Sequence, residues 1–340
     1  MIIRSKAPHR ISFGGGGTDL NTYCDKFGGH VLNSTISLYA NCTISPTNTQ
    51  TICFRSMDTN EEVKLATSKS LELNGKMDLY KQIYNRIVND YTLEPLSFNM
   101  MTYSDVPLGT GLGGSSTLIV SIIKAYTAWL DLPLGQNDIA RLAFDIERED
   151  LGIVGGAQDQ YAATFGGFNF IEFEANKKVT VNPLCIKEWI IDELKASIVL
   201  YFTNISREAS LIEKEKKNIM TKKSSLEAMH RVKEHSMVMK EVLLKGDINA
   251  FAKILGKSWQ DKKQVSKSIS NIEIDRIYDI AKSNGAYSGK VSGAGGGGFM
   301  FFMVDPNQKP TLIRALDNEQ GSVFNFKFVM EGAKGWKIYE

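Results

Sequence analysis

The stretch Pro107-Leu108-Gly109-Thr110-Gly111-Leu112-Gly113-Gly114-Ser115-Ser116-Thr117 crowds glycines into a turn directly before a long apolar run. A backbone without β-carbons can wrap its N–H groups around a phosphate. A helix opening at the end of the turn adds unpaired N–H donors and the positive end of its dipole. The turn is built to hold a polyanion. Ser115 and Ser116 open the helix, where a hydroxyl can cap it or serve as a ligand for magnesium. Gly109, Gly111 and Gly114 satisfy the GxGxxG spacing, but Asp105-Val106-Pro107 puts a loop where a dinucleotide fold needs a strand. Asp131 has the acidic residue's offset but sits between two helical patterns. No lysine precedes Ser115, so a P-loop of the Walker type does not fit either. The phosphate charge must then be met by backbone dipoles, a bound cation or a basic residue from elsewhere.

Two more glycine clusters lie far away in the chain. Gly14-Gly15-Gly16-Gly17-Thr18-Asp19 follows a short strand, Arg10 to Phe13. Gly293-Ala294-Gly295-Gly296-Gly297-Gly298 precedes another, Phe299 to Val304. Glycines abutting strands mark close approach by a second backbone or a ligand.

The elements that carry these loops follow from periodicity. Residues 36–44, 51–55 and 96–103 alternate as half-buried strands do, and 78–91 has helical spacing. A helix runs from Ser116 to Trp129, broken by Pro133 and Gly135, and a second from Asn137 to Leu151. The second half opens on a strand, Ser197 to Phe202, followed by charged helices over 209–245, 248–262 and 272–283. Lys214-Glu215-Lys216-Lys217 reads as a solvated helix face. Residues 288–304 read as glycine loop then strand, and 324–329 as a final strand. The mixed order predicts an α+β architecture in two lobes, and 340 residues exceed the usual single core. Domains are expected over 1–187 and 188–340.

Composition narrows the function classes. Hydrophobic residues make up 43% and charged residues 23%, as in ordinary globular proteins. A net charge of +2 is too small for a nucleic-acid surface. The four cysteines are scattered, with no zinc or disulfide spacing, which suits a reducing cytoplasm. The N-terminus turns polar too early for a signal peptide, and no apolar run spans a membrane.

The three loops together, in this order, resemble the motifs of the GHMP kinases. Ala7-Pro8-His9-Arg10 with Gly17-Thr18-Asp19 is similar to their first motif. Residues 107–117 are similar to the second, and Lys290-Val291-Ser292 with Gly293 to Gly298 to the third. The resemblance implies an N-terminal domain like ribosomal protein S5 domain 2 and a ferredoxin-like C-terminal domain. It also implies transfer of the ATP γ-phosphoryl, with Mg2+, to the anomeric hydroxyl of a sugar. D-glycero-D-manno-heptose 7-phosphate is the expected acceptor and L-fucose the alternative; a silent sugar or nucleotide sensor on the same fold is the reading from another class.

By the same resemblance Asp159 is the catalytic carboxylate and Arg10 the cation beside it. Residues Pro107, Gly109, Thr110, Gly111, Leu112, Gly113, Gly114, Ser115 and Ser116 bind ATP. Ser115 and Glu147 hold the metal, with Glu149 or Asp150 as alternatives to Glu147. Gly17, Thr18, Asp19, Gly295 and Gly296 line the substrate. A sugar phosphate also needs positive charge away from the ATP site, and Arg207, at the crossing from the strand Ser197 to Phe202 into the next helix, is expected to clamp that phosphate bidentately. Asp159 could instead be a helix cap and His9 a packed histidine. The adenine pocket is expected near Arg55 to Asp58. No nucleic-acid or membrane partner is expected, and a homodimer remains open.

Overall fold

The first strand shows why the chain builds two layers around one edge. In the computed structural model, which describes residues 1–107, 109–205 and 222–339, β1 runs from Ile2 to Gly14. Its first half alternates, with Ile3, Ser5 and Ala7 inward, as a strand with one wet face must. From Ala7 onward every residue is buried, because the second half of the molecule covers the other face. The strand is therefore far longer than the Arg10–Phe13 segment that apolar alternation marks.

β2 (Gly29–Pro46) pairs antiparallel with β1 along most of its length. Its second half also pairs with β5 (Phe98–Ser104) and its first half with β6 (Phe168–Phe173), which carries β7 (Val179–Pro183). β3 (Thr51–Ser56) lies parallel to β5 and antiparallel to β4 (Glu61–Ala66). The far edge is β12 (Lys334–Ile338), the last strand of the chain, antiparallel to β1. This strand was not foreseen. The strand expected over 324–329 ends at Phe324, leaving Phe328 in one isolated bridge to Ile36.

Helices cover one face of this sheet. After α1 (Asn21–Phe27) come α2 (Asp78–Ile87), α3 (Gly114–Leu130), α4 (Gln136–Phe144) and α5 (Gln158–Phe165). Leu118, Ile119, Ile122, Ile123 and Tyr126 of α3 pack on Ile3, Ala7, Cys42, Ile52 and Phe98 of the sheet. The helix expected over 137–151 is α only to Phe144; Asp145–Asp150 continues as a wider π turn.

The second sheet is antiparallel, in the order β11 (Ser322–Phe324), β8 (Ile198–Phe202), β10 (Phe299–Val304), β9 (Ala286–Val291). Between β8 and β9 lie α7 (Lys223–Lys245), α8 (Ile248–Val265) and α9 (Ile272–Ser283), and α10 (Lys309–Asp317) joins β10 to β11; α6 (Glu188–Ala196) precedes β8. Strand order 4-1-3-2 with helical crossovers is the ferredoxin-like arrangement. Of the helix expected over 209–245, residues 209–221 lie outside the described residues, as does the 214–217 run. The two halves meet on apolar side chains. Phe13 stands edge-on to Phe251 of α8 and Phe301 of β10, with ring centroids 5.4 and 5.8 Å away. That contact fixes the glycine loop after β1 against the second sheet.

Candidate active site

The three glycine loops, far apart in sequence, are stitched together by backbone hydrogen bonds at their ends. Arg10 N–H donates to Leu112 O (3.2 Å) and Phe299 N–H to Thr110 O (2.9 Å). Between them opens a cleft of about 270 Å³, lined by the first loop, the 109–116 turn, the 147–159 segment, the end of α8 and Gly293-Ala294. It sits at the junction of the two sheets, with Ser115 and Ser116 at the head of α3 on its wall.

Arg10 is the hub. Its Nε and Nη2 both reach Asp159 Oδ1, at 2.8 and 2.6 Å. Its Nη1 donates to Gly111 O (2.6 Å) and lies 3.5 Å from Ser292 Oγ. One buried guanidinium thus joins the catalytic candidate to all three loops, and the planar fork makes that possible. Asp159 is the second residue of α5 and its cap position is Ala157, so Asp159 is no helix cap. Gly113 takes φ +80°, and a Cβ there would press on the Asp159 carboxylate at 3.1 to 3.3 Å.

Asp19 is buried and accepts from Gly17 N–H (2.8 Å), Gln158 N–H (3.1 Å) and Gln158 Nε2 (3.4 Å). It ties the first loop to the start of α5 while facing the cleft. Gly156 lies so close that any Cβ would overlap the Asp19 carboxylate.

Glu147 projects from the π turn, 1% exposed. Its Oε2 accepts from Ser116 Oγ (2.6 Å) and Gln160 Nε2 (2.7 Å), and Oε1 lies 3.4 Å from Arg148. Ser115 lies on the same cleft wall. These are hard oxygen donors, and Mg2+ is held by one or two carboxylates with phosphate oxygens and water, so the set fits it. Among the described residues no cluster of three or more His, Cys, Asp or Glu forms a metal cage. The two alternatives to Glu147 are removed. Asp150 is engaged by Arg86 and Gln82, and Glu149 by Lys177, both away from the cleft. The π turn breaks the helical phase that would have grouped Glu147 with Asp150.

Other expected residues stand one layer back. Neither Ser115 nor Ser116 caps α3; the cap position is Gly113. Thr18 is fully buried, its hydroxyl donating to Gly15 O and His30 O. Thr110 Oγ1 donates to Pro107 O, while Thr110 and Leu112 offer carbonyls to the neighbouring strands, so Pro107, Thr110 and Leu112 shape the turn without lining the cleft. Gly296 N–H donates to Ile269 O, and Gly295 packs on the same residue; Gly293 and Ala294 take the cleft wall instead. Residues 55–58 lie off the cleft lining, tied to β5 through Met57 N–H to Thr102 O. His9 is a packed histidine, 3.0 Å from Ser104 Oγ. Arg207 lies outside the described residues.

Several functional groups went unmarked in the sequence. Lys262 Nζ donates to Gly16 O (2.6 Å) from the end of α8 and lines the cleft. Lys290 Nζ donates to Ser12 O and Phe13 O, clamping β9 to the end of β1. Burial, then Lys262 and Arg10 nearby, push its amine well below the usual lysine range. Arg148 spans the cleft wall, donating to Ile153 O and Gly156 O. Lys290 stood inside the quoted third motif, which was its only local signal.

Fold and site together define a phosphoryl-transfer enzyme, and the chain belongs to the GHMP kinase family. The family's N-terminal model matches residues 78–167 and its C-terminal model residues 239–323. The chain is similar to the D-glycero-alpha-D-manno-heptose 7-phosphate kinase of Campylobacter jejuni subsp. jejuni serotype O:2, 59% identical over 99% of both chains. Among solved structures it resembles a putative sugar kinase from Campylobacter jejuni (57% identity, TM-score 0.85, covering 99% of this chain and 98% of that one). It also resembles a D-glycero-D-manno-heptose 1-phosphate kinase from Bacteriodes thetaiotaomicron (46% identity, TM-score 0.87, 99% and 100%). The chain is a sugar kinase, and no helix among the described residues is long and apolar enough to cross a membrane.

Proposed function

We propose that this enzyme phosphorylates the anomeric hydroxyl of D-glycero-D-manno-heptose 7-phosphate from ATP and Mg2+, in the cytoplasm. The observation that carries the reading is Asp159, held by Arg10 on the cleft floor between the 109–116 turn and Asp19. The turn and the head of α3 cradle the triphosphate with backbone N–H groups. Glu147 and Ser115 would hold magnesium, which supplies charge neutralisation on the phosphates. Asp159 orients the attacking hydroxyl and takes its proton late in transfer, while Arg10 holds the carboxylate in place through Oδ1. Asp19 accepts from a second sugar hydroxyl. Arg207, outside the described residues, is our candidate for the distal phosphate. We propose the domain division at 187/188 from sheet membership, with β12 returning to the first sheet. The name of the 59% identical relative supports this acceptor.

Coupled ADP release on the heptose 7-phosphate against L-fucose tests the reading. The expected result is magnesium-dependent turnover with a strong preference for the heptose phosphate. Preference for fucose overturns the acceptor, and no ATP-dependent turnover on any sugar overturns the reaction.

A further inference from the structure

We propose that Gln158 is a specificity-determining residue whose Oε1 accepts the sugar hydroxyl adjacent to the one that is phosphorylated. The inference rests on the sugar kinase reading and adds a residue to its site.

Gln158 immediately precedes Asp159 at the start of α5 and lines the cleft. It is 93% buried, at 7% exposure. Its two ends are treated unequally. The backbone N–H and the amide Nε2 both point at Asp19, at 3.1 and 3.4 Å. Oε1 is buried without a partner. The amide cannot turn over to cure this, because its carbonyl oxygen would then face the Asp19 oxygens, which already accept from Gly17 and Gln158 N–H. Asp19 therefore fixes the orientation and leaves the carbonyl oxygen facing away from it. A buried acceptor without a donor is unfavourable, and native structures keep few of them. On a cleft wall beside the catalytic carboxylate, the missing donor is supplied by a ligand. Nε2 also borders the space left by the absent Cβ of Gly16, with Lys262 Nζ and the unpartnered Ser12 Oγ. That side of the cleft is polar and suits a hydroxylated ligand.

The ligand chemistry follows from position. Gln158 lines the same cleft as Asp159 and Asp19, so a sugar whose anomeric hydroxyl meets Asp159 has its neighbouring hydroxyl to offer to the Gln158 side of that wall. A site built to hydrogen-bond a hydroxyl discriminates against the analogue that lacks it far more than an apolar pocket discriminates by size. Gln158 would thus read a 1,2-diol, Asp159 taking one oxygen and Oε1 the proton of the other.

The experiment is a cycle of two enzymes and two substrates. Wild type and Gln158→Met are assayed on the heptose 7-phosphate and on its 2-deoxy analogue. On the parent sugar kcat/KM is expected to fall about tenfold or more in the variant, with the KM for ATP unchanged. On the 2-deoxy sugar the two enzymes are expected to differ less than twofold. Removing the 2-hydroxyl alters the sugar's own reactivity, and only the difference between the two columns is read. An equal loss on both substrates assigns Gln158 to holding Asp19 and overturns the proposal; no loss on the parent does the same. Gln158→Leu replaces Gln158→Met if that variant fails to fold. If the heptose phosphate is not an acceptor but L-fucose is, the function reading fails, and the same cycle on L-fucose and 2-deoxy-L-fucose decides this inference separately.

Discussion

Arg10 binds a single oxygen of Asp159: Nη2 at 2.6 Å and Nε at 2.8 Å converge on Oδ1, leaving Oδ2 on the side of Gly113. The carboxylate is anchored through one atom, and in the proposed reaction the other would take the substrate proton. In Asp159→Asn the shape is kept and the basic oxygen pair is lost. We expect kcat to fall by about a hundredfold to ten-thousandfold, with the KM for ATP within a few-fold of wild type. Arg10→Met is expected to cost stability as well as rate. It leaves Asp159 without its partner and releases Gly111 O, and breaking a buried pair costs about 3–5 kcal/mol. Steady-state kinetics with urea unfolding of both variants separates the two effects; a stable, fully active Arg10→Met enzyme would remove Arg10 from the site.

Two glycines in the cleft should respond oppositely to the same substitution. An alanine Cβ at Gly156 would overlap the Asp19 carboxylate, so the bonds from Gly17 and Gln158 must break or shift. Gly109 has φ +77° and open space around the Cβ position, so alanine there meets only backbone strain of about 1–2 kcal/mol. Gly156→Ala is expected to lose most sugar phosphorylation while retaining nucleotide binding. Gly109→Ala is expected to stay active with a modestly lower unfolding midpoint. Equal activity of the two would show that Asp19 is not needed in its present position.

Much of this site was legible because its parts are local. A glycine run beside a strand, or a carboxylate in a characteristic string, is visible within a few residues. What stayed hidden depends on distant partners. Lys262 meets Gly16 across 246 positions, and nothing in the α8 sequence announces that its last turn faces a glycine loop. The π turn at Asp145–Asp150 follows unbroken helical spacing, which on an α-helix puts Asp150 on the face of Glu147 and Glu149 elsewhere, so nothing local announced that Asp150 would turn away from Glu147 to Arg86. β12 is short and only partly buried, and its pairing with β1 exists only once the fold has closed. The reading of β1 as a four-residue strand failed for a related reason. Its first half has the polar alternation of an edge, and only the return of β12 makes it interior.

The proposed metal site would distinguish two adjacent serines. Ser116 is buried and spends its hydroxyl on Glu147 at 2.6 Å, while Ser115 lies half-buried on the cleft wall. Glu147→Gln and Ser115→Ala are expected to raise the Mg2+ concentration for half-maximal rate, by about tenfold or more for the carboxylate. Ser116→Ala is expected to act through Glu147, with a smaller shift. Magnesium titrations at fixed ATP measure all three. An unchanged requirement in Glu147→Gln would move the metal elsewhere.

His9 gives the molecule a defined response to acid. Burial, then the neighbouring Arg10 charge, pushes its imidazole from the ordinary 6.5 down to about 4. Above pH 6.5 both folded and unfolded chains carry a neutral ring, and His9 contributes nothing to pH dependence. Between 6.5 and about 4 the unfolded chain binds a proton that the folded one refuses, so stability falls as pH falls. The slope approaches about 1.4 kcal/mol per pH unit, for a total of about 3 kcal/mol, and flattens once the folded ring also protonates. In His9→Gln this contribution disappears, although the variant should be less stable at pH 7 because the ring's packing and its contact with Ser104 are altered. Urea unfolding at pH 7, 6 and 5 should therefore show the gap between wild type and variant shrinking as the solution is acidified. A gap that stays constant would mean that the imidazole takes up its proton in the folded chain as readily as in the unfolded one, and that Arg10 does not oppose a second positive charge beside it.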